Sequence, residues 1–199
     1  MHAFVAEWYA DVPPSSPFVM VAPLPRPLLE FYRAARGRQQ VLGEQNRIFS
    51  PEEIYPSDDG PGIVIGSENQ GVFRLRVDPS ADDPSVWYLD PFDSPVAERV
   101  PLSGFLVRFL LCEAVYGPYG GWASVRLGEL GELLGQLEEV PLPPMRWPSD
   151  PTHHYVAPGV VVMVCDLGDG DAEVYVGSRH RAALRPFRTP GFAWQAFNG

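Results

Sequence analysis

The stretch of sequence that decides the fold is residues 63–77, IVIGSENQGVFRLRV. Its first half is a short apolar run over residues 63–65. Its second half alternates between apolar residues and arginines: Phe73, Arg74, Leu75, Arg76 and Val77. An alternation of period two puts the apolar side chains on one face of a strand and the arginines on the other. The stretch therefore predicts two antiparallel strands whose apolar face packs on helices.

The polar residues between these two runs have the chemistry of a tight turn: Glu68, Asn69, Gln70 and Gly71. Asn69 and Gly71 are residue types that adopt positive φ, and Glu68 is expected to anchor the turn by local hydrogen bonds. A polar loop over residues 78–84 then leads into a third predicted strand over residues 86–89. Together these segments predict an antiparallel meander with short connections.

Two helices are predicted on either side of the meander. The first has one apolar face made by Leu28, Phe31, Tyr32 and Ala35. Pro27 suits its first turn and Gly37 suits its end. The second is predicted over residues 103–116, where Ser103 is placed to cap the start. Its few charged residues predict that most of it is buried against the sheet.

Residues 118–199 give weaker patterns. A helix over residues 127–137 is predicted, but three internal glycines weaken it. A hairpin is predicted from strands at 160–165 and 172–176 joined by Gly168-Asp169-Gly170, followed by a short basic helix at 179–184. His153 and His154 are expected in a proline-rich linker, without a third ligand at metal-binding spacing.

Composition excludes several classes of enzyme. All fifteen basic residues are arginine, so a phosphate-binding loop with its lysine, a lysine Schiff base and a Ser–Lys dyad are impossible. No Ser-centred nucleophile elbow, dinucleotide-binding glycine motif or zinc-protease motif occurs. We expect no cofactor, no metal and no catalytic role.

Charge is concentrated in one part of the chain. The net charge is −10, and residues 44–98 hold twelve acidic residues against three arginines. Nucleic-acid binding is disfavoured, because it depends on cations that neutralise phosphates. The acidic stretch is interpreted either as a solvated face that maintains solubility or as a surface for a basic partner.

The cysteines and the start of the sequence suggest a cytoplasmic protein. Cys112 and Cys165 lie in apolar runs and are expected to be buried free thiols. The first residues lack a cationic region, and no apolar run reaches the length of a membrane span. We therefore expect neither a signal peptide nor a transmembrane segment.

The order of these segments resembles the SUKH superfamily, the Smi/Knr-like proteins. The resemblance covers residues 24–117, and the segment Glu68-Asn69-Gln70-Gly71 between two strands is its most specific part. Its other parts are a helix after Leu24-Pro25, Asp59-Gly60 before a strand, Asp82-Asp83-Pro84 opening a loop, the strand Val86-Trp87-Tyr88 and a helix with Phe105-Leu106 and Phe109-Leu110.

The resemblance implies an α+β fold, with a mostly antiparallel twisted sheet and helices packed on one side. We expect a single domain over residues 1–199, in which residues 24–117 form the family-like core and residues 118–199, which the resemblance does not cover, form a C-terminal extension packed on it. The resemblance also implies a non-enzymatic role, since many bacterial members are similar to immunity proteins that neutralise polymorphic toxins, often nucleases.

Six residues of the acidic stretch form the candidate partner-binding surface: Asp82, Asp83, Trp87, Tyr88, Asp90 and Asp93. Aromatic residues supply anchoring area and acids steer a basic partner, expected to be a toxin domain. Because Trp87 and Tyr88 are consecutive in a strand, one of them is alternatively a core residue. Two other functions stay open: a regulatory scaffold without a toxin partner, and an enzyme using acids such as Glu68 and Asp90.

Overall fold

The computed structural model describes residues 1–20, 23–90, 93–188 and 192–199. These residues form helices and two antiparallel sheets, so the predicted α+β class is confirmed. The chain divides into two compact units, Met1–Leu110 and Leu111–Gly199. The expectation of one domain, with residues 118–199 packed on a core of residues 24–117, stays a prediction.

The first unit contains two helices, six strands and two 3₁₀ helices among its described residues. The helices are α1 (His2–Trp8) and α2 (Arg26–Ala35), and the 3₁₀ helices are Gln39–Leu42 and Pro51–Glu53. The strands are β1 (Asn46–Ile48), β2 (Tyr55–Pro56), β3 (Ile63–Glu68), β4 (Arg74–Val77), β5 (Ser85–Leu89) and β6 (Val96–Pro101). Helix α3 (Leu102–Ala114) begins in this unit. The strand order β1-β3-β4-β5-β6, with β2 beside β3, contains the predicted meander.

The predicted register of the meander is confirmed. Leu75 pairs with Tyr88 and Arg76 pairs with Trp87 across strands β4 and β5. Phe73, Leu75 and Val77 are 4%, 0% and 0% exposed, whereas the two arginines between them are half-buried on the opposite face. The alternation in the sequence therefore defines an inner face, which packs on the helices, and an outer face.

The inner face of the sheet packs on helix α3, and helix α3 packs on helix α2, through aromatic contacts. The ring centroids of Tyr88 and Phe105 are 6.4 Å apart and those of Phe31 and Phe109 are 6.0 Å apart, both with edge-to-face geometry. Helix α2 has Pro27 in its first turn, as predicted, but its left-handed cap is Arg36, one residue before the predicted Gly37, which also has a positive φ. Edge-to-face contacts of this kind add stability beyond the burial of their area.

The cap of helix α3 differs from the prediction. The helix begins at Leu102, and Ser103 is a donor there, because its amide and hydroxyl both donate to the Asp83 carboxylate, at 2.9 and 2.6 Å. The prediction that the Ser103 side chain caps the helix is therefore wrong. The acceptor comes from the loop before β5, twenty residues away, and local sequence does not reveal it.

The second unit has a sheet of six strands among its described residues. These are β7 (Tyr119–Arg126), β8 (Glu138–Glu139), β9 (Thr152–Ala157), β10 (Val160–Gly168), β11 (Asp171–Ser178) and β12 (Ala196–Phe197), in the order β12-β7-β11-β10-β9-β8. Helix α4 (Gly131–Leu134) and the 3₁₀ helices Leu127–Glu129 and Arg181–Phe187 complete the unit. The predicted hairpin is present as β10 and β11, but it is the centre of a sheet.

Three other expectations for this unit are wrong. The helix over residues 127–137 is a 3₁₀ turn followed by one turn of α-helix, in keeping with its internal glycines. The basic helix at residues 179–184 is a 3₁₀ helix that starts at Arg181. His153 and His154 lie on strand β9 rather than in a linker. Among the described residues, every helix is too short or too polar to span a lipid bilayer.

Candidate functional site

The polar turn between β3 and β4 is held by a buried carboxylate. Glu68 is 3% exposed, and its Oε2 accepts hydrogen bonds from the amides of Gln70 and Val72, at 2.7 and 3.3 Å. Gly71 has φ of 76°, as its residue type predicted. Asn69, in contrast, does not have a positive φ. Its main-chain N–H donates to the main-chain oxygen of Gln45, at 3.1 Å. The four residues thus act together as a structural turn.

The two consecutive aromatics of strand β5 point to opposite faces. Tyr88 is 9% exposed, its ring centroid lies 5.0 Å from that of Phe73, and its hydroxyl donates to Glu98 Oε2 at 2.8 Å. Trp87 is half-buried on the outer face. The alternative that one of the two is a core residue is confirmed for Tyr88, so only Trp87 remains available to a partner.

Trp87 belongs to a cluster that we call the outer-face surface, formed by Tyr55, Arg74, Arg76 and Trp87. Strand pairing aligns its members: Tyr55 pairs with Val64, Val64 with Arg76 and Arg76 with Trp87, in one row across strands β2 to β5. The guanidinium of Arg76 lies 5.7 Å from the centroid of the Trp87 ring. A cation at this distance from an indole is attracted to its face.

The loop between β2 and β3 fixes the two arginines of this surface. Arg76 Nη1 donates to the main-chain oxygen of Asp59 at 2.5 Å, and Arg74 pairs with the Asp59 carboxylate. A hydrogen bond with the Tyr55 hydroxyl, followed by the charge of Asp59, raises the pKa of Arg74 above its ordinary value. The sequence suggested Trp87 but missed Tyr55, because strand β2 is only two residues long and its pattern carries no periodicity.

Asp82 and Asp83 lie away from Trp87. Asp83 is bonded to Ser103 of helix α3, which packs on the inner face of the sheet. Both aspartates line a cavity of about 430 Å³ that also includes Arg26 and Glu30. Asp82 is exposed there. The carboxylate of Asp83 accepts its hydrogen bonds at the start of helix α3, where a negative charge is stabilising.

Asp90 and Asp93 occupy a third position, at the end of strand β5 and the loop beyond it. Asp90 is half-buried, and Asp93 is exposed with its Oδ1 accepting the amide of Ser94 at 2.7 Å. Residues 91–92, which belong to the stretch of the resemblance, lie outside the described residues. The six candidate partner-binding residues are therefore distributed over the core, the helix side and the outer side of the first unit.

Other acids of residues 44–98 are also engaged by their neighbours. Glu53 closes a capping box with Ser50 and pairs with Arg47 at 2.7 Å. Burial alone raises the pKa of the Glu53 carboxyl, but the hydrogen bonds from Ser50 and the charge of Arg47 outweigh it and hold that pKa below its ordinary value. Hydrogen bonds from Ser80 likewise lower the pKa of Asp78. Much of the acidic stretch therefore stabilises local structure.

The two thiols are not placed for chemistry. Cys112 and Cys165 are free and buried, as expected. Burial raises the pKa of Cys112 well above its ordinary value and that of Cys165 to about 11, so the thiolate form is scarce at neutral pH. Within the described ranges, no group of three His, Cys, Asp or Glu side chains is arranged to hold a metal ion.

Comparison of the chain with protein-family models, curated proteins and solved structures finds no match. The resemblance to the SUKH superfamily consequently rests on the residues quoted above.

Proposed function

We propose that the protein is a non-enzymatic protein-binding module, and that its partner docks on the outer-face surface of the first unit. The observation that supports this is the row in which Tyr55, the buried Val64, Arg76 and Trp87 pair across four strands, with Arg74 beside it on the same face. Trp, Tyr and Arg are the residues that most often dominate the energetics of protein interfaces.

The surface is held in place before a partner arrives. The Arg76 guanidinium is fixed by the Asp59 main-chain oxygen and by the Trp87 ring, and Arg74 is fixed by Asp59 and Tyr55. Side chains that are already ordered lose less conformational entropy on binding. This supports an interface role in which affinity comes from preorganised anchors rather than from induced folding.

The proposed partner is a basic protein, such as the toxin domain that the SUKH resemblance implies. The outer-face surface itself contains two arginines, but Arg74 is paired with Asp59, the chain carries a net charge of −10, and exposed acids remain at Glu52, Asp58, Asp82 and Asp93. The negative electrostatic field of these charges accelerates association with a cationic protein. A nuclease toxin needs cationic surface to hold phosphates, so an acidic inhibitor would compete for it. A cytoplasmic location is part of this proposal, supported by the two free thiols.

A binding role is favoured over catalysis by the position of Glu68. An enzyme that used this carboxylate would need it to face a substrate. Glu68 is instead buried, with its Oε2 saturated by two main-chain amides of its own turn. One of the two acids named for the enzyme alternative is thus accounted for by a structural role.

The proposal is tested with an outer-face variant, Trp87→Ala with Arg76→Ala. The matched control is Trp122→Ala with Arg126→Ala, which removes the same residue types from exposed positions in the second unit. Proteins retained by tagged wild-type protein in a native lysate are identified, and the affinity of the purified partner is measured by calorimetry. We expect the control to bind like wild type and the outer-face variant to lose about 100-fold or more in affinity, as hot-spot residues do.

Circular dichroism must show that both variants are folded. An outer-face variant that keeps its affinity within about twofold would place the interface elsewhere. The class of partner is then decided by expressing it alone and together with the protein. Toxicity that co-expression relieves identifies a toxin, whereas a harmless partner identifies a scaffold. An association rate constant that does not change with added salt would contradict the proposed role of the acidic residues in attracting the partner.

A further inference from the structure

A basic segment interrupts the acidic character of the second unit. Residues 179–188 contain four arginines and no acidic residue, in a chain whose net charge is −10. Most of the segment is the 3₁₀ helix Arg181–Phe187. Its function is not explained by the outer-face surface, because that surface belongs to the first unit.

The segment is anchored by apolar residues and presents its arginines outward. Leu184 and Phe187 are 0% and 2% exposed and belong to the core of the second unit. Arg181, Arg185 and Arg188 are exposed. Because the apolar residues fix the helix, the positions of the three arginine main chains are determined by packing.

The three arginines line a single cavity, which we call the arginine cavity. Its volume is about 490 Å³, and the remaining lining residues are Ala182 and Gly199. Arg188 donates from Nη2 to the main-chain oxygen of Gly199, and its guanidinium lies 5.9 Å from the centroid of the Phe197 ring. No acidic side chain is among the described residues that line it.

Two of these arginines lack partners among the described residues. The guanidinium groups of Arg181 and Arg185 form no hydrogen bond or ion pair there. Arg126 in the same unit, by contrast, pairs with Asp171 at 3.2 Å. Arg181, Arg185 and Arg188 therefore place positive charge at one concave, exposed site, which favours the binding of an anion.

We propose that the arginine cavity binds a small phosphate-bearing anion. The planar guanidinium presents paired N–H donors that match the oxygens of phosphate, and several arginines together suit a multiply charged group. Inorganic pyrophosphate and the phosphate chain of a nucleotide share this chemistry, and the experiment below distinguishes them.

The test is isothermal titration calorimetry of sodium pyrophosphate, ATP, adenosine and a single-stranded oligonucleotide at one fixed ionic strength. The wild-type chain is compared with Arg181→Gln/Arg185→Gln. The control is Arg47→Gln/Arg126→Gln, which removes equal charge from arginines already paired with Glu53 and Asp171. We expect pyrophosphate to bind wild type and the control alike, and to bind the cavity variant about tenfold or more weakly. ATP that binds no tighter than pyrophosphate shows that only phosphate is recognised, and tighter binding of ATP indicates a nucleotide.

Three results would overturn this assignment. Wild type could fail to bind pyrophosphate and ATP up to about 10 mM. The cavity and control variants could weaken binding equally, which would indicate an unspecific charge effect. A single-stranded oligonucleotide could bind at the arginines while pyrophosphate does not, which would make the segment a nucleic-acid contact. Circular dichroism and an unchanged melting profile would exclude unfolding of the cavity variant.

Discussion

The two sheets bury their strands in different ways. In the first unit, strand β4 alternates, so Leu75 is fully buried while its neighbours Arg74 and Arg76 lie on the outer face. In the second unit, strand β10 is apolar without alternation, and each residue from 160 to 165 is at most 3% exposed. Strand β4 therefore has a face that is available to a partner, whereas residues 160–165 of strand β10 have none.

This difference shows what a hydrophobic pattern can reveal. Alternation specifies both the register of a strand and its exposed side, because a slip by one residue would expose the whole apolar set. A continuous apolar run specifies burial only. The outer face of strand β4 could therefore be anticipated from the sequence around Arg76, whereas the strands on either side of β10 could not be anticipated from its apolar run.

Substituting consecutive residues in the two strands gives the largest expected effects. Leu75→Ala should lower the free energy of unfolding by about 2–5 kcal/mol, and Arg76→Ala on the same strand by less than about 1 kcal/mol. In β10, Met163→Ala should cost about 2–5 kcal/mol and the adjacent Val162→Ala about 1.5–3 kcal/mol, because both are fully buried. Urea unfolding followed by circular dichroism measures all four.

The comparison fails if Val162→Ala or Met163→Ala is nearly neutral, since that would give β10 a solvent-accessible face. It also fails if Arg76→Ala costs as much as Leu75→Ala. In that case the outer-face surface would be a structural network rather than a surface available to a partner.

Much of the first unit could be predicted because its signals are local. The helix around Phe31, the meander and the turn at Glu68 each follow from residues within a few positions of one another. Strands β1 and β2 are two or three residues long, too short for any periodicity to be recognised. In the second unit, β7 contains Gly120 and Gly121, which weaken a strand pattern, and β9 directly follows a proline-rich segment that indicated a linker.

The candidate site was less predictable because it depends on contacts between distant segments. The sequence grouped acids and aromatics that are close in the chain. In the structure, Asp83 accepts a hydrogen bond from Ser103, twenty residues away, and strand pairing places Tyr55 in a row with Trp87. Local chemistry predicts what a side chain can do, but tertiary pairing decides which side chains act together.

Two glycines sharpen the comparison between the units, because they are required for different reasons. Gly71 has φ of 76° and open space where a Cβ would lie, so Gly71→Ala should cost about 1 kcal/mol from backbone conformation alone. A Cβ on Gly177 would lie 2.3 Å from the main-chain oxygen of Ala114, so Gly177→Ala should cost about 1–3 kcal/mol from crowding. Thermal unfolding measures both.

Asparagine separates these two causes. It tolerates the left-handed conformation, so Gly71→Asn should be less destabilising than Gly71→Ala. It is larger than alanine, so Gly177→Asn should be more destabilising than Gly177→Ala. The same order at both positions would mean that one of the two explanations is incorrect.

The smallest expected effect distinguishes the two neighbouring aspartates of the first unit. Asp83 accepts two hydrogen bonds at the start of helix α3, so Asp83→Ala should cost about 1 kcal/mol, while the exposed Asp82→Ala should change stability by less than about 0.5 kcal/mol. Asp83→Asn should recover most of the loss, because an amide oxygen still accepts a hydrogen bond from the Ser103 amide.

The variants Asp82→Ala and Asp83→Ala each remove one negative charge. If long-range charge alone draws in a basic partner, stopped-flow mixing at low salt should show the two slowing association equally, despite their unequal stabilities. A larger effect of Asp82→Ala would instead indicate that Asp82 touches the partner directly, and the interface would then extend from the outer-face surface to the helix side.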